Sequence, residues 1–252
     1  MPRAVRVLTS AVAVLTLAAC TSSGGRDESE DAATPTIAPA PTGISASLTP
    51  ADTPACLPAG TATVTTGAAD DPTLVSFAGG GTQGVLLAPQ DRGDACQWAD
   101  ELARLAGEGY LVASFGWSDD GRASFLGAVD TLRSLGATDV ALVGASKGGT
   151  YAAALADEVD AVAVVALGPP AAFDGQVALA ASSTYTGPLL VIASTDDPNV
   201  GVDSSRAVSR ADDPGTFLEL AGNAHGVALF TTDHREQVQQ AIDDTLATGF
   251  GS

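Results

Sequence analysis

The sequence predicts an α/β fold, with a mostly parallel central sheet covered by helices on both faces and a minimal lid or none. Three observations carry that expectation. From Gly84 onward, short apolar runs alternate with amphipathic segments, the pattern of repeated strand-helix units. The runs are apolar at consecutive rather than alternate positions, as in VALV (140–143), VAVVAL (162–167) and LLVIA (189–193), so each strand is to be buried on both faces. The segment between the last two runs, 168–188, is too short to build a separate lid domain.

Upstream of this region, Arg3 and Arg6 precede an apolar stretch, Val7 to Leu17, that closes on Leu17-Ala18-Ala19-Cys20. Residues 1–19 read as an export signal, and the run is shorter than a bilayer-spanning helix requires. The Leu-Ala-Ala-Cys ending resembles a bacterial lipoprotein signal peptide. That resemblance implies cleavage before Cys20, lipidation of Cys20, and a mature protein held by its lipid on the outer face of the cytoplasmic membrane. An ordinary secretory signal cut after Ala19 is the competing reading. Residues 20–55 are then a Ser/Thr/Pro/acidic tether with too little apolar surface to order itself, and 56–252 the folded domain. Three cysteines are present. With Cys20 lipidated, Cys56 and Cys96 remain as the one pair available in an oxidising compartment.

Within the domain, Ala62–Thr66 and Thr73–Phe77 read as edge strands around a Gly/Asp/Pro turn, and Gly84–Pro89 as a buried strand. Asp94 opens a helix carrying Trp98, Leu102 and Leu105 on one face, stopped by Gly107 and Gly109. Tyr110–Phe115 is a strand, Gly116–Arg122 a polar loop and Ala123–Leu135 a helix ended by Gly136. Val162–Leu167 and Leu189–Ala193 are further strands. Val200–Arg210 is a helix, Phe217–Leu220 a strand and Asp233–Leu246 the final amphipathic helix.

Composition narrows the function. A formal charge of -19 over 252 residues repels phosphate and excludes nucleic acid as the expected partner. The few His and Cys lack metal-ligand spacing, so neither a metal nor a cofactor is called for. The chain is expected to be a monomer.

The chemistry gathers at Asp139 to Tyr151, DVALVGASKGGTY. An apolar strand runs into Gly144-Ala145-Ser146-Lys147-Gly148 and then into an alanine-rich helix. Ser146 thus sits on a sharp strand-to-helix turn, where only glycine fits two residues before and after it. The backbone N–H of Lys147 can donate to an oxyanion at the helix start. A serine nucleophile needs a base, and there are two histidines. His225 follows the strand ending at Leu220 and is preferred; His234 opens the last helix. The carboxylate that would orient the base follows the strand ending at Ala193, where Asp196 and Asp197 both stand and where both could instead cap the next helix.

From about Gly60 to the end, the order serine, acid, histidine resembles the α/β-hydrolase fold. Asp197-Pro198 matches the last two positions of that family's Gly-x-x-Asp-Pro pattern, with Ser194 in place of the glycine, and so favours Asp197. Gly222-Asn223-Ala224-His225 matches its histidine loop. The resemblance implies a catalytic triad of Ser146, Asp197 and His225, and a second oxyanion donor at the backbone N–H of Gln90. The family's His-Gly dipeptide is absent there, and Pro89 has no N–H. The short 168–188 segment is similar to capless, dienelactone-hydrolase-like or cutinase-like members, with Trp117 and Phe173 as candidate substrate-lining residues. Lys147 is expected to be solvated or paired with a carboxylate. The implied activity is that of a serine esterase or related acyl hydrolase. The alternative is a non-catalytic surface lipoprotein that uses the scaffold to bind.

Overall fold

The computed structural model describes residues 48–251. The leader, Cys20 and most of the expected tether lie outside the described residues. Among the described residues, eleven strands and five α-helices follow in chain order: β1 (Thr49–Ala51), β2 (Ala62–Ala68), β3 (Asp71–Gly79), β4 (Gln83–Ala88), α1 (Ala99–Gly107), β5 (Leu111–Phe115), α2 (Gly121–Ser134), β6 (Asp139–Ala145), α3 (Lys147–Leu155), β7 (Ala163–Leu167), β8 (Ala172–Phe173), β9 (Gln176–Val177), β10 (Leu189–Ser194), α4 (Val202–Arg206), β11 (Phe217–Leu220) and α5 (Arg235–Phe250).

The main sheet has nine strands in the order β1-β2-β3-β5-β4-β6-β7-β10-β11. From β5 to β11 every neighbouring pair is parallel, while β1, β2 and β3 add an antiparallel edge. After β4 the chain crosses to β5 on one side and returns to β6 on the other. The carboxyl ends of β4 and β6 therefore flank a point where the order reverses, which is where open α/β sheets leave a crevice.

The two faces are covered by different helices. Leu86, Leu142 and Val164 point to α2 and α3, where Phe125, Leu132, Tyr151 and Leu155 are buried. Leu87, Val143 and Val165 point the other way, to Trp98 just before α1, to Leu102 and Leu105 along α1, and to Val238, Ile242 and Leu246 along α5. Burial on both faces is why these strands are continuously apolar.

Several expectations needed correction. The fold starts upstream of Cys56, because Thr49–Ala51 pairs with Thr63–Thr65 as an extra edge strand. The helix expected from Asp94 begins as a 3-10 turn, Ala95–Trp98, with Asp94 accepting the Cys96 N–H. The helix expected over 200–210 is α4 alone, since Val208 and Ser209 bond back to Ser205 and Arg206 in i→i−3 turns that stop it. The last helix runs on to Phe250, where Gly251 takes the left-handed C-cap. The 168–188 segment holds the two-stranded ribbon of β8 and β9 and a short 3-10 turn, Ala180–Ser182.

Candidate active site

Ser146 stands between β6 and α3 with φ 50° and ψ -117°, a conformation that non-glycine residues adopt only under tertiary constraint. The constraint is close backbone approach. A Cβ on Gly144 would lie 2.2 Å from the Gly148 carbonyl oxygen, and one on Gly148 would lie 2.2 Å from the Ala88 carbonyl oxygen. The elbow is anchored by the Ser146 N–H, which donates to the Leu167 carbonyl at 2.8 Å, and by the Gly148 N–H, which donates to the Pro89 carbonyl at 3.1 Å. As the first residue of α3, Lys147 has no helical carbonyl for its own N–H, which is left at the positive end of the helix.

The two aspartates after β10 have different surroundings. Asp196 is exposed. Asp197 is buried, and its Oδ2 lies 2.6 Å from His225 Nδ1. Its other oxygen, Oδ1, accepts the N–H groups of Asn199 and Val200 at 2.8 and 3.2 Å. The carboxylate therefore caps the following turn and meets the imidazole at once. Ser194, where the family pattern has glycine, donates its hydroxyl to the Ala224 carbonyl at 2.7 Å and ties the end of β10 to the loop that carries His225. His234 is engaged elsewhere, with Nε2 3.0 Å from the Ala221 carbonyl oxygen.

The His225 loop packs on the elbow's base. A Cβ on Gly168, which directly follows the carbonyl that accepts the Ser146 N–H, would lie 3.1 Å from His225 Nδ1 and 3.4 Å from Asp197 Oδ2. One on Gly226 would lie 3.3 Å from the Ala145 Cβ. A cavity of about 380 Å³ lies beside this loop, with Gln90, Gln97, His225 and Phe230 in its wall. A larger cavity of about 910 Å³, between Ala153, residues 178–186 and residues 203–212, contains none of the expected site residues.

Gln90 is tightly held. Its carbonyl accepts the Trp117 indole N–H at 2.9 Å and the Gly93 N–H at 3.0 Å, and its side-chain Oε1 accepts the Val227 N–H at 2.8 Å. Its own N–H, the expected second oxyanion donor, is bonded to Gln97 Oε1 at 3.0 Å. Sequence reasoning missed Gln97, and named Ser194 only as a departure from the glycine without the bond it makes.

Lys147 is buried and faces two carboxylates, the second of the two expectations for it. Its Nζ lies 4.3 Å from the centre of the Trp117 ring, 3.5 Å from Asp174 Oδ2 and 3.9 Å from Asp91 Oδ1. Phe173, on the β8–β9 ribbon, is 5.8 Å from the same ammonium. The Tyr151 phenol donates to Asp174 at 3.0 Å, and burial together with that carboxylate pushes its pKa well above the ordinary tyrosine value. Trp117 is thus backed by Gln90 on one side and stacked under a cation on the other. Cys56 and Cys96 are disulfide-bonded.

Comparison with known proteins fits this architecture. No family model matches the chain, and no curated protein matches it. Solved structures do. An esterase from Pyrococcus furiosus superposes with a TM-score of 0.59 at 17% identity, covering 73% of this chain and 90% of that one. A dienelactone hydrolase-like promiscuous phosphotriesterase from metagenomic libraries gives 0.59 at 17% identity over 76% and 97%. A serine hydrolase without a lid from Xanthomonas campestris gives 0.56 at 16% identity over 75% and 96%. The fold is that of a lidless α/β hydrolase.

Proposed function

We propose that the protein is a serine hydrolase that cleaves carboxylic esters or related acyl groups through Ser146, His225 and Asp197. The observation that carries this reading is the buried Asp197 carboxylate 2.6 Å from His225 Nδ1, on a loop packed against the base of a strained serine elbow. Asp197 holds the Nδ1–H tautomer, which leaves Nε2 as the base. Ser146 Oγ attacks the carbonyl carbon as its proton passes to Nε2, and the Lys147 N–H stabilises the oxyanion. Collapse of the tetrahedral species expels the alcohol, which takes the proton from His225. Water, deprotonated by the same imidazole, then attacks the acyl-enzyme, and the imidazolium returns that proton to Ser146 Oγ as the acid leaves.

With no lid over the sheet edge, the cleft is open, and Trp117 and Phe173 are the proposed lining on the acyl side. The substrate is a small-molecule or lipid-like ester. The Cys56–Cys96 bridge suits an oxidising compartment, and with the Cys20 leader it supports a lipid-anchored enzyme outside the cytoplasmic membrane.

The test is labelling with a fluorophosphonate, which reacts only with an activated serine. The folded protein should label, Ser146→Ala should not, and a graded panel of p-nitrophenyl esters should then define the acyl preference. A folded wild-type chain that neither labels nor turns over any ester would reject the reading.

A further inference from the structure

The N–H that the family resemblance assigns as second oxyanion donor, that of Gln90, is bonded to a side chain that has no part in the proposed triad. The Gln90 N–H carries one hydrogen, and it is given to Gln97 Oε1 at 3.0 Å. A carboxamide oxygen has the same acceptor chemistry as the carbonyl of a bound ester, and one N–H cannot serve both.

The contact is built into the fold. Gln97 rides on the Ala95–Trp98 turn. That turn is fixed by the Asp94 cap on the Cys96 N–H, by the Cys56–Cys96 bridge and by the buried Trp98. Gly93 leaves room for the carboxamide, since a Cβ there would lie 2.2 to 2.4 Å from its oxygen, carbon and nitrogen. Gln90 cannot turn its N–H elsewhere, because Trp117, Gly93 and Val227 hold its backbone and side chain. Gln97 is exposed, so it is the partner that can leave.

We infer that Gln97 is an autoinhibitory acceptor that occupies the second oxyanion donor of the resting enzyme and must swing into solvent before that donor can stabilise a tetrahedral intermediate. This rests on the serine hydrolase reading above. An anionic oxygen accepts the N–H more strongly than a neutral amide oxygen does, so the exchange is favoured as charge develops. Substrates that fail to displace Gln97 are left with the Lys147 N–H alone.

Removing the competitor should raise kcat/KM by the value of one net hydrogen bond, roughly three- to tenfold. Two variants test this independently. Gln97→Ala deletes the acceptor, and Gly93→Ala expels it while leaving it in the sequence. For wild type, each variant and the double variant, the measurements are kcat/KM for p-nitrophenyl acetate, the fluorophosphonate labelling rate and the Ki of an aryl trifluoromethyl ketone, whose adduct mimics the oxyanion. The inference expects faster turnover and labelling, a Ki lowered by the same factor, and a double variant no faster than either single one. Unchanged or slower Gln97→Ala with a normal melting temperature overturns it, whatever Gly93→Ala does. If wild type is active, that result leaves the hydrolase reading standing; an inactive wild type rejects both.

Discussion

At Asp196 and Asp197 identical side chains one position apart have opposite surroundings. Asp197 is buried against His225, whereas Asp196 is exposed and donates its backbone N–H to the Gly222 carbonyl. Asp197→Asn should therefore lower kcat about 10⁴-fold by favouring the wrong imidazole tautomer, and Asp196→Asn should leave it within about twofold. Steady-state kinetics on any ester that wild type turns over decides the matter, and equal losses would reverse the assignment. The same comparison applies to the histidines: His225→Ala should cost several orders of magnitude, and His234→Ala, which removes a contact to Ala221, little. The residue types and their chain order were legible because strand ends can be read from apolar runs. Gln97 and the bond that Ser194 makes were not. Each acts by bonding a backbone group, Gln90 N–H or Ala224 C=O, whose position depends on how two loops fold rather than on any spacing in the chain.

Among the elements, the elbow is the least tolerant of change. A side chain at Gly144 would meet the Gly148 carbonyl in the first turn of α3, and one at Gly148 the Ala88 carbonyl at the end of β4, each at 2.2 Å, and backbone does not yield as the end of a flexible side chain does. Gly148→Ala should destabilise the protein by about 1–3 kcal/mol and abolish fluorophosphonate labelling even where the variant folds, as thermal unfolding and labelling together would show. The loop after β5 depends instead on charge. Asp71, the first residue of β3, accepts the N–H groups of Asp119 and Asp120 at 3.1 Å each, and these bonds hold its carboxyl below the usual Asp value. A depressed carboxylate pKa stabilises the fold above the unfolded value of about 3.9, and that contribution fades as pH falls through the folded value. Exchange of the Asp119 and Asp120 amides, corrected for intrinsic rate, should accelerate below about pH 4, and Asp71→Asn should remove the transition. The strands and the long helices were legible as elements because apolar period and glycine stops mark them. The edge strand β1, the ribbon of β8 and β9 and the brevity of α4 were not, because two- to five-residue pieces are fixed by their neighbours and carry no period of their own.

For the whole folded body, the disulfide adds a covalent tie between two connections on the sheet's border. Cys56 lies in the connection between β1 and β2 at the antiparallel edge, and Cys96 lies on the turn that leads into α1, 40 residues on. Trp98, two residues beyond Cys96, is nearly fully buried against the α5 side of the sheet and meets Phe230 edge-on at 5.9 Å. The bridge thus fastens an exposed edge to the hydrophobic layer under α1. A loop of that length removes about 4 kcal/mol of unfolded-chain entropy in the loop-closure model, and native bridges commonly contribute 2–4 kcal/mol. For a body of about 200 residues, each kcal/mol moves the melting temperature by roughly 2–4 °C. Cys56→Ser with Cys96→Ser should therefore melt about 10 °C lower than wild type under non-reducing conditions. Wild type in excess reductant should approach the same value, and the double variant should not respond to reductant at all. Matching melting curves for all three would show that the sheet and its helices hold the edge without the bridge.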